Sequence, residues 1–324
     1  MAETSNIAWT KSTFNPWIGC TKIGPGCDHC YAEAQDSRKR WGGVTHWGAG
    51  VPRHRTSGTY WQHPKAWNNK QIDLRRQGDA PPWNVFCASL ADVFDNDVPQ
   101  QWRGDLWTLI ADTPALSWLL VTKRIGNVPS MVPLSWINSP RGFPPNVRLM
   151  ITVVNQEEAD RDIPKMLALN CKNGVSYEPA LCAVDWAAWL YPDRMRMRGD
   201  SGPVHVTGQP CINWIIVGGE STQGGHQARQ FNIEWARSTI AQCKAAGVPA
   251  FMKQAGSFVI DRNDAGFEGD GDDVWPAGTA DKLVWEPFGY VDNAQGSAVR
   301  IKLRDRAGAD PDEWPEDLRV REFP

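Results

Sequence analysis

The chain has 324 residues, of which 41% are hydrophobic and 22% are charged, and this balance excludes a globally disordered protein and a small disulfide-stapled domain. Its formal net charge is −3, and no apolar run approaches the ~18 residues that a membrane span requires. The first residues lack the basic and apolar segments of a signal peptide. We therefore expect a cytoplasmic protein with no membrane contact.

The charge is distributed unevenly along the chain. Residues 1–80 hold 11 lysines and arginines against 6 acids, a net of +5, whereas residues 255–324 hold 8 against 16, a net of −8. A basic amino-terminal part is typical of contact with an anionic partner such as nucleic acid, although an ordinary solvated surface gives the same pattern. The 18 tryptophans are expected mostly in the core, with a minority available to stack on bases or on a substrate ring.

Short apolar runs alternate with segments of helical length. The runs predicted to be strands are residues 84–89, 116–122, 147–153, 174–179, 214–219 and 249–253. Most of them are continuously apolar, as expected for strands buried on both faces of a parallel sheet. Helices are predicted at residues 100–112 and 232–246, the second with an N-cap type of residue at its start and Gly247 as its C-cap.

This alternation predicts an α/β fold, either a (β/α) barrel or an open wound sheet. Two segments, at about residues 32–80 and 186–212, interrupt the alternation of strands and helices. We interpret both as insertions at the rim of the fold. The second insertion contains the basic stretch Arg194–Arg198, which is compatible with phosphate contacts. We expect a main domain over residues 1–256 and an acidic C-terminal extension over residues 257–324 that packs on it.

Three of the eight cysteines, Cys20, Cys27 and Cys30, lie within eleven residues, in a loop that glycine and proline keep irregular. Three thiolates that converge on a tight loop are typical of an iron–sulfur cluster, and three ligands leave one iron of a [4Fe–4S] cluster open. Zinc is the main alternative, with His46 or His54 as the fourth ligand. A disulfide framework is disfavoured in a reducing compartment.

Polar and charged residues follow the predicted strands at their carboxyl ends, where parallel α/β proteins bind ligands. We assign catalytic roles to Lys123, Glu178 and Lys253. The residues predicted to bind a cofactor are Ser89, Arg124, Asn155, Gly218, Gly219 and Glu220. The adjacent glycines let a ligand approach the backbone, and the carboxylate is suited to an amine or to ribose hydroxyls. A structural or surface role is the alternative for each of these residues.

Several motifs occur in order along the chain. They are residues 7–33 around the three cysteines, WLLVTKR at 118–124, SYEP at 176–179, WIIVGGES at 214–221 and GVPAFMKQ at 247–254. Together they resemble the phage Gp37/Gp68 family over roughly residues 7–256. The cysteine motif is similar to that of radical S-adenosylmethionine enzymes, whose fold is a partial or full (β/α) barrel. It departs from their usual spacing, because six residues fill the first gap and Tyr31 follows the last cysteine.

The resemblance implies a radical enzyme with two cofactors, a [4Fe–4S] cluster and S-adenosylmethionine. Reductive cleavage of S-adenosylmethionine would give a 5′-deoxyadenosyl radical that acts on a nucleic-acid base or nucleotide, in repair or in phage DNA hypermodification such as rearrangement of a modified thymine. It also implies an electron donor such as flavodoxin, and the host cytoplasm as location if a phage encodes the chain. The alternatives are a zinc- or cluster-binding nucleic-acid or host-interaction protein, and a redox or sensing cluster without this chemistry.

Overall fold

The computed structural model describes residues 3–38, 41–78, 80–190, 211–261, 286–293 and 296–324, with the backbone alone from 286 to 299. Most of the predicted second insertion, including Arg194–Arg198, lies outside these residues. The chain forms two compact units. The first unit comprises residues 1–152 and 160–176, and the second comprises residues 153–159 and 177–324. The predicted division near residue 256 stays a prediction.

The first unit is organised around five parallel strands in the order β1-β4-β5-β6-β7. In chain order the elements up to the end of this sheet are β1 (Ser12–Thr13), β2 (Trp17–Ile18), α1 (Tyr31–Asp36), β3 (His54–Arg55), α2 (His63–Gln77), β4 (Trp83–Cys87), α3 (Gln100–Asp112), β5 (Leu116–Thr122), α4 (Val128–Met131), α5 (Leu134–Asn138), β6 (Val147–Thr152), α6 (Gln156–Leu167) and β7 (Lys172–Tyr177). Strands β2 and β3 form a separate antiparallel pair.

The central strands of this sheet are buried on both faces. In β5, Trp118, Leu119 and Leu120 are all at most 1% exposed although their side chains alternate between the two faces. This burial explains why the predicted runs are continuously apolar, and it places the sheet at the centre of the first unit's core.

The second unit contains a parallel pair of strands and a four-stranded sheet. Its elements are α7 (Ala187–Leu190), β8 (Ile215–Gly218), β9 (Phe231–Asn232), α8 (Ile233–Ala246), β10 (Ala250–Gln254), β11 (Val259–Asp261), β12 (Glu286–Asn293) and β13 (Gly296–Lys302). Strands β8 and β10 are parallel, and the other sheet has the order β12-β13-β11-β9. The second edge of β10 is covered by the C-terminal segment 320–322, because Met252 N donates to Val320 O at 2.8 Å and Glu322 N donates to Ala250 O at 2.9 Å.

Helix α8 has the ends that the sequence predicts. The Asn232 side chain accepts a hydrogen bond from Glu234 N, and Gly247 takes the left-handed conformation with a φ of 68°. All six predicted strands are present, with bounds shifted by at most two residues. The fold is therefore mixed α/β with parallel strands, as predicted, and it is compatible with a partial (β/α) barrel. No helix among the residues described combines the length and the apolar character needed to cross a membrane.

Helix α2 lies inside the segment predicted as a rim insertion. It packs against the start of β5, where Ala115 N donates to Asn68 Oδ1 at 2.8 Å and Arg75 Nη2 donates to Ala115 O at 2.9 Å. The residues that it buries include Asn68 and Gln71 beside Trp67. Because buried amides take the place of some apolar residues on this face, the sequence of α2 shows only a weak helical periodicity of hydrophobic residues.

We expect Trp118→Ala to lower the free energy of unfolding by about 3–5 kcal/mol, because it empties a large volume in the core. Trp118 is fully buried, its Nε1 donates to Thr113 Oγ1 at 3.0 Å, and its ring meets Phe14 edge-on. Urea denaturation measures the change. Leu134→Ala is the control, since Leu134 is 72% exposed, and a loss under ~1 kcal/mol for Trp118→Ala would contradict the described core.

Candidate functional site

The three clustered cysteines lie in a loop between β2 and α1. Cys20 follows β2, Cys27 ends a short 3-10 turn at Pro25–Cys27, and Cys30 immediately precedes α1. All three are half-buried. The loop begins at Gly19, which has a φ of 111° and lies so close to the His46 carbonyl that a Cβ atom at this position would collide with it. Only glycine satisfies both conditions.

A buried network of ion pairs holds this loop to the ends of the strands. The Arg53 side chain is fully buried and contacts Asp95 Oδ2 at 2.7 Å and Asp97 Oδ2 at 3.0 Å. Its Nη2 also donates to Thr21 Oγ1 at 2.7 Å, next to Cys20. Because every charge here is paired, the cost of burying the network is offset by its own contacts.

Arg124, at the end of β5, forms the second half of the network. Its Nη1 donates to Asp92 Oδ2 at 3.0 Å and to Cys20 Sγ at 3.4 Å, and its Nη2 donates to the Thr21 carbonyl. Burial alone would lower the pKa of Arg124, but Asp92, Cys20 and Asp95 together raise it. Arg124 therefore stays charged and bound within the protein, and its predicted cofactor contact stays a prediction.

The Cys20 thiol is engaged by this network. Burial, reinforced by Asp92, raises its pKa to about 12 in spite of Arg124. Burial also raises the pKa of Cys30, against the opposing effect of backbone hydrogen bonds and of Lys123. Both cysteines therefore hold their protons more tightly than an exposed cysteine does.

The predicted [4Fe–4S] cluster is wrong. Among the residues that the structure describes, which include all three cysteines, no group of three or more Cys, His, Asp or Glu side chains is placed to hold a metal ion. The same finding applies to the zinc alternative, which needs His46 or His54 placed beside the three cysteines. The expected S-adenosylmethionine depends on the open iron of that cluster, so this cofactor prediction is wrong as well. The physical reason is that Cys20 is tied to Arg124 instead of converging with Cys27 and Cys30.

The other two candidates of the first unit lie on either side of this network. The Ser89 hydroxyl accepts a hydrogen bond from Asn15 Nδ2 at 3.1 Å, and its carbonyl accepts one from Tyr31 Oη at 2.5 Å. Lys123 is half-buried at the end of β5, and its backbone N donates to Asp92. Its ammonium group has no ion-pair partner in the described part of the chain and lies within electrostatic reach of Cys30.

Predicted residues of the second unit form two separate ion pairs. Lys253 Nζ lies 2.7 Å from Glu178 Oε1. Glu220 accepts from the Arg229 side chain through both oxygens, at 2.6 and 3.1 Å, and from Arg229 N at 2.9 Å. The Glu220 carboxylate is therefore already engaged by a guanidinium group.

The remaining candidates of the second unit have local structural partners. A Cβ at Gly218 would meet Glu178 Oε1 at 2.8 Å, and one at Gly219 would collide with the Ala255 carbonyl. Both glycines are thus required by packing within the protein. The Asn155 side chain accepts from Glu158 N at 2.8 Å and caps the start of α6. The cofactor contacts of these residues stay predictions.

Four residues of the first unit's network were not found from the sequence: Asp36, Arg53, Asp95 and Asp97. Asp36 is fully buried at the end of α1, where it accepts from His46 N at 2.6 Å and from Thr45 Oγ1 at 2.8 Å. Arg53 Nη1 donates to three carbonyls of the same loop, His46 O, Gly48 O and Val51 O. The available signal was the acidic turn DVFDND at 92–97, which directly follows an apolar strand.

The fold and this network define an α/β protein whose cysteine loop is fixed by buried arginines and aspartates at the carboxyl ends of parallel strands. The chain belongs to the family described as "Protein of unknown function (DUF5131)", which matches residues 4–306. No curated protein and no solved structure matches the chain. The resemblance to the phage Gp37/Gp68 family, the electron donor and the cytoplasmic location stay predictions.

We expect Arg53→Met to lower the free energy of unfolding by about 3–5 kcal/mol, because it leaves the buried Asp95 carboxylate without its main partner. Denaturant titration of the purified protein measures this change. The matched control is Arg76→Met, which removes an arginine whose side chain is 76% exposed and paired with Asp73, and it should change stability by less than ~0.5 kcal/mol. Equal effects of the two substitutions would show that the network does not stabilise the fold.

Proposed function

We propose that the protein binds a nucleotide or a nucleic acid through its first unit, at the end of β5 beside the cysteine loop. The observation that carries this proposal is Lys123. Its neighbours Arg124 and Arg53 are neutralised by aspartates, whereas the half-buried Lys123 ammonium has no such partner among the described residues. A cation held in this way at the carboxyl ends of parallel strands is suited to a phosphate group.

Two tryptophans favour a nucleotide over a simple anion. Trp41 and Trp47 are half-buried and pack against the cluster of Ile18, Ala32 and Leu90, which Cys30 also contacts. Indole rings are among the side chains on which bases stack. The net charge of +5 over residues 1–80 adds the long-range attraction that nucleic-acid binding uses.

The loop that carries Trp47 is held rigidly. Asp36 binds His46 N and Thr45 Oγ1, Gly48 N donates to Cys20 O at 3.0 Å, and Trp47 N donates to Thr45 Oγ1. A stacking residue that is fixed before binding loses little conformational entropy when the ligand arrives. The buried charges of the network therefore support a preorganised surface.

We expect Lys123→Ala to weaken binding of a fluorescein-labelled single-stranded oligonucleotide by about 5–10-fold, because it removes one phosphate contact. The slope of log affinity against log salt should become shallower by about 0.7 for the same reason. Fluorescence anisotropy titrations at several salt concentrations between about 50 and 200 mM give both quantities.

Lys65→Ala is the control for this experiment, since it removes the same charge from an exposed lysine paired with Asp112. It should bind within about twofold of the unchanged protein. If Lys123→Ala binds as tightly as Lys65→Ala, Lys123 is not the contact. If the unchanged protein fails to bind both the oligonucleotide and labelled nucleotides, the proposal itself is wrong.

Enzymatic action is the second part of the proposal, and the Glu178–Lys253 pair of the second unit supports it. The pair joins a carboxylate and an ammonium at 2.7 Å, with side chains 12% and 26% exposed. A partly buried acid and base in direct contact can exchange a proton with a substrate that displaces one of them. A non-enzymatic nucleic-acid-binding protein is the alternative.

We expect that incubation with single-stranded DNA or RNA, digestion to nucleosides and mass spectrometry will show a nucleoside of altered mass. Glu178→Gln and Lys253→Met should each reduce its amount by ~100-fold or more, the range expected when an acid or base is lost. Glu157→Gln, at an exposed position of α6, is the matched control and should leave the amount unchanged. Binding without any altered nucleoside would favour the non-enzymatic alternative.

A further inference from the structure

The structure leaves Cys27 and Cys30 without the role predicted for them, and it engages Cys20 in contacts of its own. Cys20 Sγ is bound by Arg124 and directed to the Thr21 carbonyl at 3.6 Å. No comparable hydrogen bond from a distant element holds the sulfur of Cys27 or Cys30 among the described residues. We propose that Cys27 and Cys30 form a reversible dithiol–disulfide couple that reacts with low-molecular-weight disulfides. This couple is independent of the proposed function.

The backbone brings these two residues close together. Cys27 is the last residue of the 3-10 turn, Asp28 continues in a helical conformation with φ −63° and ψ −44°, and Cys30 becomes extended with φ −67° and ψ 117°. A four-residue turn places its first and last Cα atoms within about 7 Å of each other. A disulfide requires a Cα separation of about 4.4–6.8 Å, so ring closure needs little movement of the backbone.

Both cysteines of the couple lie in a half-buried loop and not in the closed core. Cys27 and Cys30 are half-buried, in contrast to Cys87 and Cys243, which are buried. Between the two cysteines of the couple, Asp28 is exposed and His29 is half-buried. No core side chain therefore has to move for a disulfide reagent to reach the pair.

Contacts around Cys30 favour it as the attacking sulfur. The backbone N–H groups of Ala32 and Glu33 donate to its Sγ, and Lys123 acts on it through its positive charge. Burial raises the pKa of the Cys30 thiol, and these groups partly offset that effect, because they stabilise the negative charge that forms on sulfur when a thiolate attacks or leaves. Cys27 lies at the end of the 3-10 turn, before α1, and we assign it the resolving position.

The reaction balances with glutathione disulfide as the oxidant. The Cys30 thiolate attacks one sulfur of glutathione disulfide, forms a mixed disulfide and releases one glutathione thiolate. The Cys27 thiolate then attacks the Cys30 sulfur, closes the Cys27–Cys30 bond and releases the second glutathione. Two protein thiols lose two electrons and two protons, and one glutathione disulfide becomes two glutathione molecules.

The test uses the full chain in anaerobic mixtures of reduced and oxidised glutathione, quenched with acid, alkylated with iodoacetamide and digested with trypsin. Cleavage after Lys22 and Arg38 places Cys27 and Cys30 in one peptide and Cys20 in another. We expect peptide 23–38 to lose both alkyl groups and to be lighter by two hydrogens than the reduced peptide. The Cys20 peptide should stay alkylated.

Two variants distinguish oxidation of the Cys27–Cys30 couple from oxidation of other cysteines. Cys20→Ser should leave the fraction oxidised unchanged at every glutathione ratio. Cys27→Ser should accumulate glutathione on Cys30, because the resolving thiol is missing. The proposal is overturned if peptide 23–38 carries two alkyl groups at all ratios, if it is cross-linked to the Cys20 peptide, or if glutathione accumulates on the unchanged protein without ring closure.

Discussion

The first unit depends on two buried guanidinium groups that join distant parts of the chain. Arg53 connects the loop after α1 to Asp95 and Asp97, and Arg124 connects the end of β5 to Asp92 and Cys20. Both arginines are almost completely buried, so the interaction of each with its carboxylates is weakly screened by water. The conformation of the cysteine loop therefore follows from ion pairs that other parts of the chain supply, and not from the cysteines themselves.

The same network of ion pairs determines which charged group of the first unit remains available to bind a ligand. Once Asp92, Asp95 and Asp97 are matched by the two arginines, Lys123 is the positive charge left at the end of β5 within the described part of the chain. A site that neutralised its own charges completely would have no means of attracting an anion. In the second unit, Glu178 forms an ion pair with Lys253, and Glu220 forms one with Arg229. Among the described residues, the charged groups predicted at the strand ends of the second unit are therefore paired, whereas Lys123 of the first unit is not.

Much of the fold could be predicted from the sequence, because a strand buried on both faces must be apolar throughout. The runs that form β4 to β8 and β10 show this directly, and α8 carries its own end signals at Asn232 and Gly247. Strand β1 has only two residues, which is too short to leave a pattern. Helix α2 could not be predicted from the sequence, because its buried face contains amides and its segment is rich in charged residues.

The site was harder to predict, for reasons of distance along the chain. The spacing of Cys20, Cys27 and Cys30 reveals that three thiols share a loop, but it does not reveal whether their sulfur atoms converge. That outcome depends on Arg124, which is 104 residues from Cys20 in the sequence. Arg53 followed by His54 and Arg55 resembles a solvated basic surface, although its side chain is fully buried. Lys123 and Arg124 are adjacent, and only the three-dimensional contacts distinguish the charge that is paired from the one that is not.

The pairing of residues 320–322 with β10 has a consequence for how the protein behaves at high concentration. An uncovered edge of a parallel strand pair presents backbone donors and acceptors to which another chain can add. Here Met252 N and Ala250 O are already satisfied by Val320 and Glu322, and the Trp214 indole donates to the Glu322 carbonyl at 3.0 Å. By occupying this edge, the segment 320–322 prevents a strand of another molecule from pairing with β10. A truncated chain that ends before residue 320 would expose this edge and aggregate more readily.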